Sequence, residues 1–123
     1  MTLNEFQEMA MSYRTESSNN AMYMFFGGFA EAGEVADKFA KAIRQEKVQV
    51  IKNEVYHLEE EGERGELTQW VDELAKEVFD ELWFIAGKAE ELGYTLEELA
   101  QLGFKKLQSR QERGVIVGDG DDR

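Results

Sequence analysis

The chain has 123 residues, no cysteine, no proline and a formal net charge of −12 at neutral pH. The lack of cysteine excludes disulfides and thiolate chemistry. The acidic balance argues against a large nucleic-acid partner, because such binding relies on Lys and Arg to neutralise phosphates. No apolar run approaches the ~20 residues of a membrane span, and no signal-peptide pattern opens the chain. We therefore expect one domain over residues 1–123, cytoplasmic and without a membrane partner.

Helical signals begin at the N-terminus. Thr2 and Glu5 form a capping-box pattern ahead of a first helix that we predict over residues 3–14. Residues 15–20 are polar and predict a loop, and a second helix begins near Asn20 or Ala21. Apolar residues at intervals of three or four predict the core stripe of this second helix, namely Met22, Phe25, Phe29, Ala32, Ala36, Phe39 and Ile43.

The region 44–66 continues the helical spacing of apolar residues, with Val48, Ile51 and Val55. We predict an extension of the second helix or a separate short helix there. A third helix is predicted over 67–92 and a fourth from Thr95 to about 111, with a glycine-rich tail over 112–123. These elements predict an all-α fold of the four-helix-bundle type with an extended glycine-rich C-terminal tail.

Two pairs of acidic residues are the main candidates for functional residues in the sequence. Glu31-x-x-Glu34 lies in the second helix and Glu77-x-x-Asp80 in the third. Residues three apart project from nearly the same side of a helix, so each pair offers two carboxylates together. If the two helices pack antiparallel, the four carboxylates can meet and bind a hard cation such as Mg²⁺. The alternative is that they are ordinary solvated acids, as most charged residues are.

These motifs resemble the MazG-like all-α nucleotide pyrophosphohydrolases. The signature of that family is Glu-x-x-Glu on one helix and Glu-x-x-Asp on the next. The resemblance covers roughly residues 20–44 and 70–118 and includes the basic segment from Lys105 to Arg113. It departs from the family in a longer connection between the motifs. It also departs at Phe79, where glycine is usual, at Glu81, where an apolar residue is common, and at Gly103, where asparagine often precedes the lysine.

The resemblance implies a fold, a reaction and a set of residues. It implies a helical bundle that assembles as a dimer or tetramer and uses Mg²⁺, which Mn²⁺ can replace. The reaction is hydrolysis of a nucleoside triphosphate, often a deoxynucleotide, to the monophosphate and pyrophosphate. The implied metal ligands are Glu31, Glu34, Glu77 and Asp80. Phosphate contacts are expected from Lys106 and Arg110.

Several roles stay open at the level of the sequence. Glu34 is the favoured general base. Lys38 is either a phosphate contact or the partner of Glu34 in a surface ion pair at i, i+4. Tyr23, Trp83 and Phe84 either stack on the base of the substrate or belong to the core or a subunit interface.

Other functions are compatible with the same scaffold. The substrate can be another nucleotide, such as a phosphoribosyl nucleotide. A non-catalytic helical module for oligomerisation or regulation is the alternative from a different class. Independently of the function, apolar residues lie around much of the circumference of the second helix, more than one small bundle can bury, and this predicts a homo-oligomer.

Overall fold

The computed structural model describes residues 1–57 and 64–117 of the chain. The helices are α1 (Leu3–Ser12), α2 (Ala21–Arg44), α3 (Arg64–Glu91) and α4 (Leu96–Glu112), with a 3-10 turn over Glu16–Ser18. Two strands, β1 (Val48–Ile51) and β2 (Glu54–His57), lie between α2 and α3. The mostly helical architecture confirms the predicted all-α class in its main feature, to which a small sheet must be added.

The helices begin and end where local signals place them. The Thr2 hydroxyl accepts a hydrogen bond from the Glu5 amide in a complete capping box, and Thr95 and Glu98 form a second one. The Asn20 side chain accepts a hydrogen bond from the Tyr23 amide over 2.8 Å, which starts α2 at Ala21. Gly93 adopts a φ of 76° directly after α3, a conformation that favours glycine. The predicted start of α2 and the helix-ending role of Gly93 are confirmed.

The prediction of helix over residues 44–66 is wrong for residues 48–57, whereas residues 64–66 are helical as the first residues of α3. Residues Val48–Ile51 and Glu54–His57 pair as an antiparallel hairpin, with Val50 opposite Val55. The turn residues Lys52 and Asn53 have φ values of 50° and 69°, the positive angles that a two-residue type I′ turn requires. The segment is rich in β-branched residues, and these are favoured in strands. Residues 58–63 lie outside the described residues.

Helices α2 and α3 form an antiparallel pair that approaches closely at three glycines. A Cβ added at Gly27 would lie 2.3 Å from Cε1 of Phe84, and one added at Gly87 would lie 2.1 Å from Sδ of Met24. Gly28 has a similarly close neighbour in the Lys88 side chain. The glycines that weaken helix propensity therefore allow Met24 and Phe84 to be buried between the two backbones.

Most of the predicted core stripe of α2 is exposed, although Phe39 packs edge-on against Trp70 of α3, with ring centroids 5.7 Å apart. Phe29 is 72% exposed, and Met22, Phe25 and Ile43 are also exposed. The face that packs on α3 carries Met24, Gly28 and Ala42, with the half-buried Glu31, Val35 and Lys38 between them. Apart from Phe39, the stripe is wrong as an intramolecular core, because the close approach of the two helices requires glycine and small residues at the contact.

Helix α1 is tied to the other end of α3 and to α4. Ala10, Ala86, Ala89 and Leu96 form the small core there. Gln7 is only 5% exposed: its amide donates to the Tyr94 carbonyl over 3.0 Å, and its oxygen accepts from the Leu96 amide over 2.7 Å. These bonds satisfy a buried polar side chain and orient α1 on the turn between α3 and α4.

The tail is described only at its beginning. Gly114 has a φ of 67° and ends α4, so residues 114–117 are not helical, as predicted. The rest of the predicted glycine-rich tail, residues 118–123, lies outside the described residues. Among the helices of residues 1–57 and 64–117, none combines the length and the apolarity that crossing a bilayer requires.

Candidate metal centre

Three of the four predicted carboxylates converge at the middle of the α2–α3 pair. Glu31, Glu34 and Glu77 each offer a carboxylate oxygen, and these three atoms lie within 4.8 Å of one another. The two helices contribute because the antiparallel pairing brings the first acidic motif opposite the second. Glu31 and Glu77 are half-buried, whereas Glu34 is exposed to solvent. We call these three residues the carboxylate cluster.

The donor set of this cluster is compatible with a hard divalent cation. Oxygen ligands bound to Mg²⁺ at about 2.1 Å can be at most about 4.2 Å apart. A spacing of up to 4.8 Å therefore needs an adjustment of a few tenths of an ångström, within the range of glutamate rotamers. Three carboxylates from two rigid helices match the chemistry of a Mg²⁺ site, and Mn²⁺ has the same preference for oxygen ligands.

The cluster perturbs the acid–base behaviour of its most central member. The pKa of Glu31 is raised above its ordinary value of 4.5, first by burial and then by the negative charges of Glu34, Asp80 and Glu77. The crowding therefore favours the proton-bound form of Glu31. A divalent cation would relieve the same repulsion, so the cation and the proton compete for Glu31.

We expect Glu31→Gln to stabilise the metal-free protein increasingly as the pH rises. A carboxyl whose pKa is raised on folding favours the folded state fully below its unfolded pKa of about 4.5 and loses that contribution as the pH rises through its folded pKa. The uncharged amide undergoes no such loss. Urea unfolding in EDTA at several values between pH 4 and pH 8 measures the difference between the two proteins. A difference that does not change with pH would contradict this prediction.

Asp80, the fourth predicted ligand, lies at the edge of the carboxylate cluster and outside the group of three. It is close enough to contribute to the raised pKa of Glu31. Its side chain also lines a cavity of about 560 Å³ between α1 and α3, which we call the aromatic pocket. The other lining residues are mostly apolar: Met1, Phe6, Met9, Ala10, Tyr13, Phe79 and Trp83. Asp80 is thus the residue that joins the cluster to this pocket.

Lys38 contacts the carboxylate cluster directly. Its Nζ lies 3.2 Å from Oε1 of Glu77 on the facing helix. The ion pair predicted with Glu34 is not the one that forms, because Lys38 projects into the interface between the helices. The pairing brings one positive charge to the cluster, at the side away from the aromatic pocket.

The predicted aromatic contacts differ in their surroundings. Phe84 is 5% exposed between Gly27, Tyr23 and Trp83, so it is a core residue and has no free face for a base. Trp83 donates its indole N–H to the Ala10 carbonyl over 2.8 Å and lines the aromatic pocket. Tyr23 is 46% exposed and stacks on Phe84.

Lys106 and Arg110, the predicted phosphate contacts on α4, lie apart from the aromatic pocket. Helix α4 packs on α1 and α3, and neither Lys106 nor Arg110 lines the aromatic pocket. Lys106 is exposed, whereas Arg110 is buried. The role that the resemblance implies for these two residues stays a prediction.

Sequence reasoning missed Tyr13 and Phe79 as residues of the aromatic pocket. Phe79 stood out only as a departure from the family pattern. Its position directly before Asp80 was the available signal, because adjacent helical residues project about 100° apart and can line one opening from two sides. Tyr13, the residue that caps the C-terminal end of α1, follows Met9 by four residues and so continues the same helix face.

The fold and the cluster together define a small helical protein with a carboxylate site between two antiparallel helices. The chain is 35% identical over 109 residues to the Gene 37 protein of Mycobacterium phage L5, a match that covers 88% of this chain and 81% of the phage protein. The chain belongs to the family of that phage protein. It matches no protein-family model and no solved structure.

Proposed function

We propose that the protein is a Mg²⁺-dependent pyrophosphohydrolase that converts a nucleoside triphosphate, as NTP or dNTP, to the monophosphate and pyrophosphate. The observation that carries the proposal is the convergence of Glu31, Glu34 and Glu77 within 4.8 Å. The resemblance of both acidic motifs to the MazG-like pyrophosphohydrolases supports it. A nucleotide related in charge and size, such as a phosphoribosyl nucleotide, would use the same site.

In the proposed reaction, the cation and the carboxylate side chains would have different roles. When bound, Mg²⁺ would neutralise charge on the phosphate oxygens and the leaving pyrophosphate. Glu31, Glu77 and Asp80 would hold it from two helices. Glu34 is the exposed member of the cluster and would accept the proton of the water that attacks the α-phosphorus. The bond from the α-phosphorus to the bridging oxygen then breaks, and pyrophosphate leaves.

The aromatic pocket would receive the base and sugar. Its volume of about 560 Å³ lies within the range typical of small-molecule sites. Tyr13, Phe79 and Trp83 provide flat apolar surfaces on which a base can stack, and any base can use them. Asp80 at the mouth brings the bound nucleoside next to the cluster, so the phosphates would extend towards Glu31 and Glu77.

We propose further that the protein self-associates as a homodimer or tetramer. At 100° per residue, the apolar stripes of α2 and α3 fall on one side of the antiparallel pair, opposite Glu34 and Asp80. The exposed residues of these stripes include Met22, Phe25, Phe29 and Ile43 on α2 and Val71, Val78, Leu82 and Ile85 on α3. A second copy packed there would bury them and leave the carboxylate cluster accessible. Light scattering should give a mass of at least two chains, and a stable monomer would contradict the proposal.

A product assay tests the reaction itself. The protein is incubated with each common NTP and dNTP plus Mg²⁺, and ³¹P NMR resolves the products. We expect monophosphate plus pyrophosphate, and no reaction in EDTA. Diphosphate plus orthophosphate would show that a different bond is broken. No turnover with any nucleotide, phosphoribosyl nucleotides included, would favour the non-catalytic module.

A further inference from the structure

A second pocket borders the carboxylate cluster on the side opposite the aromatic pocket. It has a volume of about 380 Å³ and lies where the last turns of α2, the start of the hairpin and the first turns of α3 meet. We call it the lysine pocket, after the residues Lys38, Lys41, Gln45, Lys47, Gln69 and Trp70 that line it together with Ala42 and Glu73.

The charge of the lysine pocket is opposite to that of the chain. Three lysines and one glutamate line it, whereas the whole chain carries −12. Lys41 pairs with Asp37 at the surface, and both side chains are more than half exposed, so this pair holds Lys41 weakly. Among the side chains of residues 1–56 and 69–117, Lys47 makes no ion pair. Both ammonium groups are therefore available to an anion.

The lysine pocket continues the line of the carboxylate cluster along both helices. On α2, positions 31, 34, 38, 41 and 45 follow at alternating intervals of three and four residues and so share one side. On α3, positions 80, 77, 73 and 69 follow at intervals of three, four and four residues in the opposite direction and also share one side. Lys38 belongs to the pocket and contacts Glu77 of the cluster. The aromatic pocket, the cluster and the lysine pocket thus follow one another along the helix pair.

We propose that the lysine pocket binds the terminal phosphates of a polyphosphate chain. An anion with two linked phosphates presents several oxygens to Lys38, Lys41 and Lys47, and ammonium-to-phosphate hydrogen bonds are among the stronger ones. The amide group of Gln45 adds a neutral donor to the same pocket, and the Gln69 amide donates over 2.9 Å to Glu73, the one carboxylate of the lining. Free pyrophosphate and the tail of a bound nucleotide share this chemistry.

The position of the pocket also orients the substrate, an extension that rests on the proposed function. With the nucleoside in the aromatic pocket, the phosphate chain passes the carboxylate cluster and ends among the lysines. The leaving pyrophosphate is then the part held by the protein's own positive charges, on the far side of the bond that breaks. This arrangement is consistent with cleavage of the bond between the α- and β-phosphates rather than the bond between the β- and γ-phosphates.

The test is calorimetric titration of the intact protein with sodium pyrophosphate in EDTA, so that no cation bridges the anion to the cluster. We expect binding that weakens with added salt, and that weakens by about tenfold in the double variant Lys41→Gln/Lys47→Gln. The matched control, Lys52→Gln/Lys105→Gln, removes the same charge from the hairpin turn and from α4, outside the pocket. It should bind as the unmodified protein does. Circular dichroism establishes that each variant is folded.

Equal binding by both double variants, or no binding by the unmodified protein at millimolar pyrophosphate, would overturn the proposal. A second readout separates it from the proposed function. If triphosphate hydrolysis occurs and KM is the same in both double variants, the hydrolase stands and the lysine pocket does not hold the phosphates. If no nucleotide is hydrolysed but pyrophosphate binding depends on Lys41 and Lys47, the pocket stands as an anion site and the hydrolase does not.

Discussion

Replacing Glu77 with glutamine should lower metal-dependent hydrolysis by at least about a hundredfold, since loss of a partner one shell further from a metal already costs 10–100-fold. The amide has one weaker oxygen donor and no charge, so the cluster loses one of its three carboxylates. Lys38 simultaneously loses its ion pair, which leaves a positive charge where the cation would bind. Turnover and Mn²⁺ affinity should therefore fall together.

The control for this variant lies on the same helix. Asp72→Asn removes one carboxylate from an exposed position of α3 that is outside the cluster and both pockets. We expect its turnover to stay within about twofold, because the change of charge is distant and screened by salt. Rates from the ³¹P NMR assay and Mn²⁺ titration by electron paramagnetic resonance give the two measurements. Full activity of Glu77→Gln would remove the cluster from the mechanism.

The second large effect concerns stability. Gly27→Val should lower the free energy of unfolding by about 2 kcal/mol or more, because overpacking a close-packed interface typically costs 1–3 kcal/mol. The first added carbon would lie 2.3 Å from the ring of Phe84, which is buried against Tyr23 and Trp83 and has no free space to enter. Valine gains only a few tenths of a kcal/mol in helix propensity over glycine.

Gly33→Val is the matched control for that substitution. Gly33 lies on the same helix, and an added Cβ would have nothing within 4 Å. Urea unfolding should place this variant within about 0.5 kcal/mol of the unmodified protein. A wider α2–α3 spacing in Gly27→Val should also weaken Mn²⁺ binding at the cluster. Equal stability of the two variants would mean that the helices do not need the glycine at position 27.

The helices and the acidic motifs could be predicted because their signals are local. The caps at Thr2, Asn20 and Thr95 and the positive φ of Gly93 place helix ends within a few residues. The spacing of Glu31 and Glu34 already indicates that they share a helix face. Their meeting with Glu77 required only that consecutive long helices pack antiparallel.

The remaining features depend on contacts between distant residues. The hairpin was missed because Val48, Ile51 and Val55 satisfy helical spacing as well, and only the Lys52–Asn53 turn decides between the two. The buried face of α2 was misassigned because close approach at glycine outweighs the preference for burying phenylalanine. The lysine pocket forms only where Lys47 and Trp70, far apart in sequence, are brought together.

The hydrogen bonds of the buried Gln7 connect parts of the chain that are distant in sequence, which affects how the protein folds. Its bonds join residues separated by 83 to 89 positions, so they cannot form until the turn that carries Tyr94 and Leu96 exists. Contacts of such long range form late and slow the folding of small domains. Since Phe6 of α1 and the adjoining Tyr13 line the aromatic pocket, the Gln7 bonds attach one wall of this pocket to a turn near the other end of the chain.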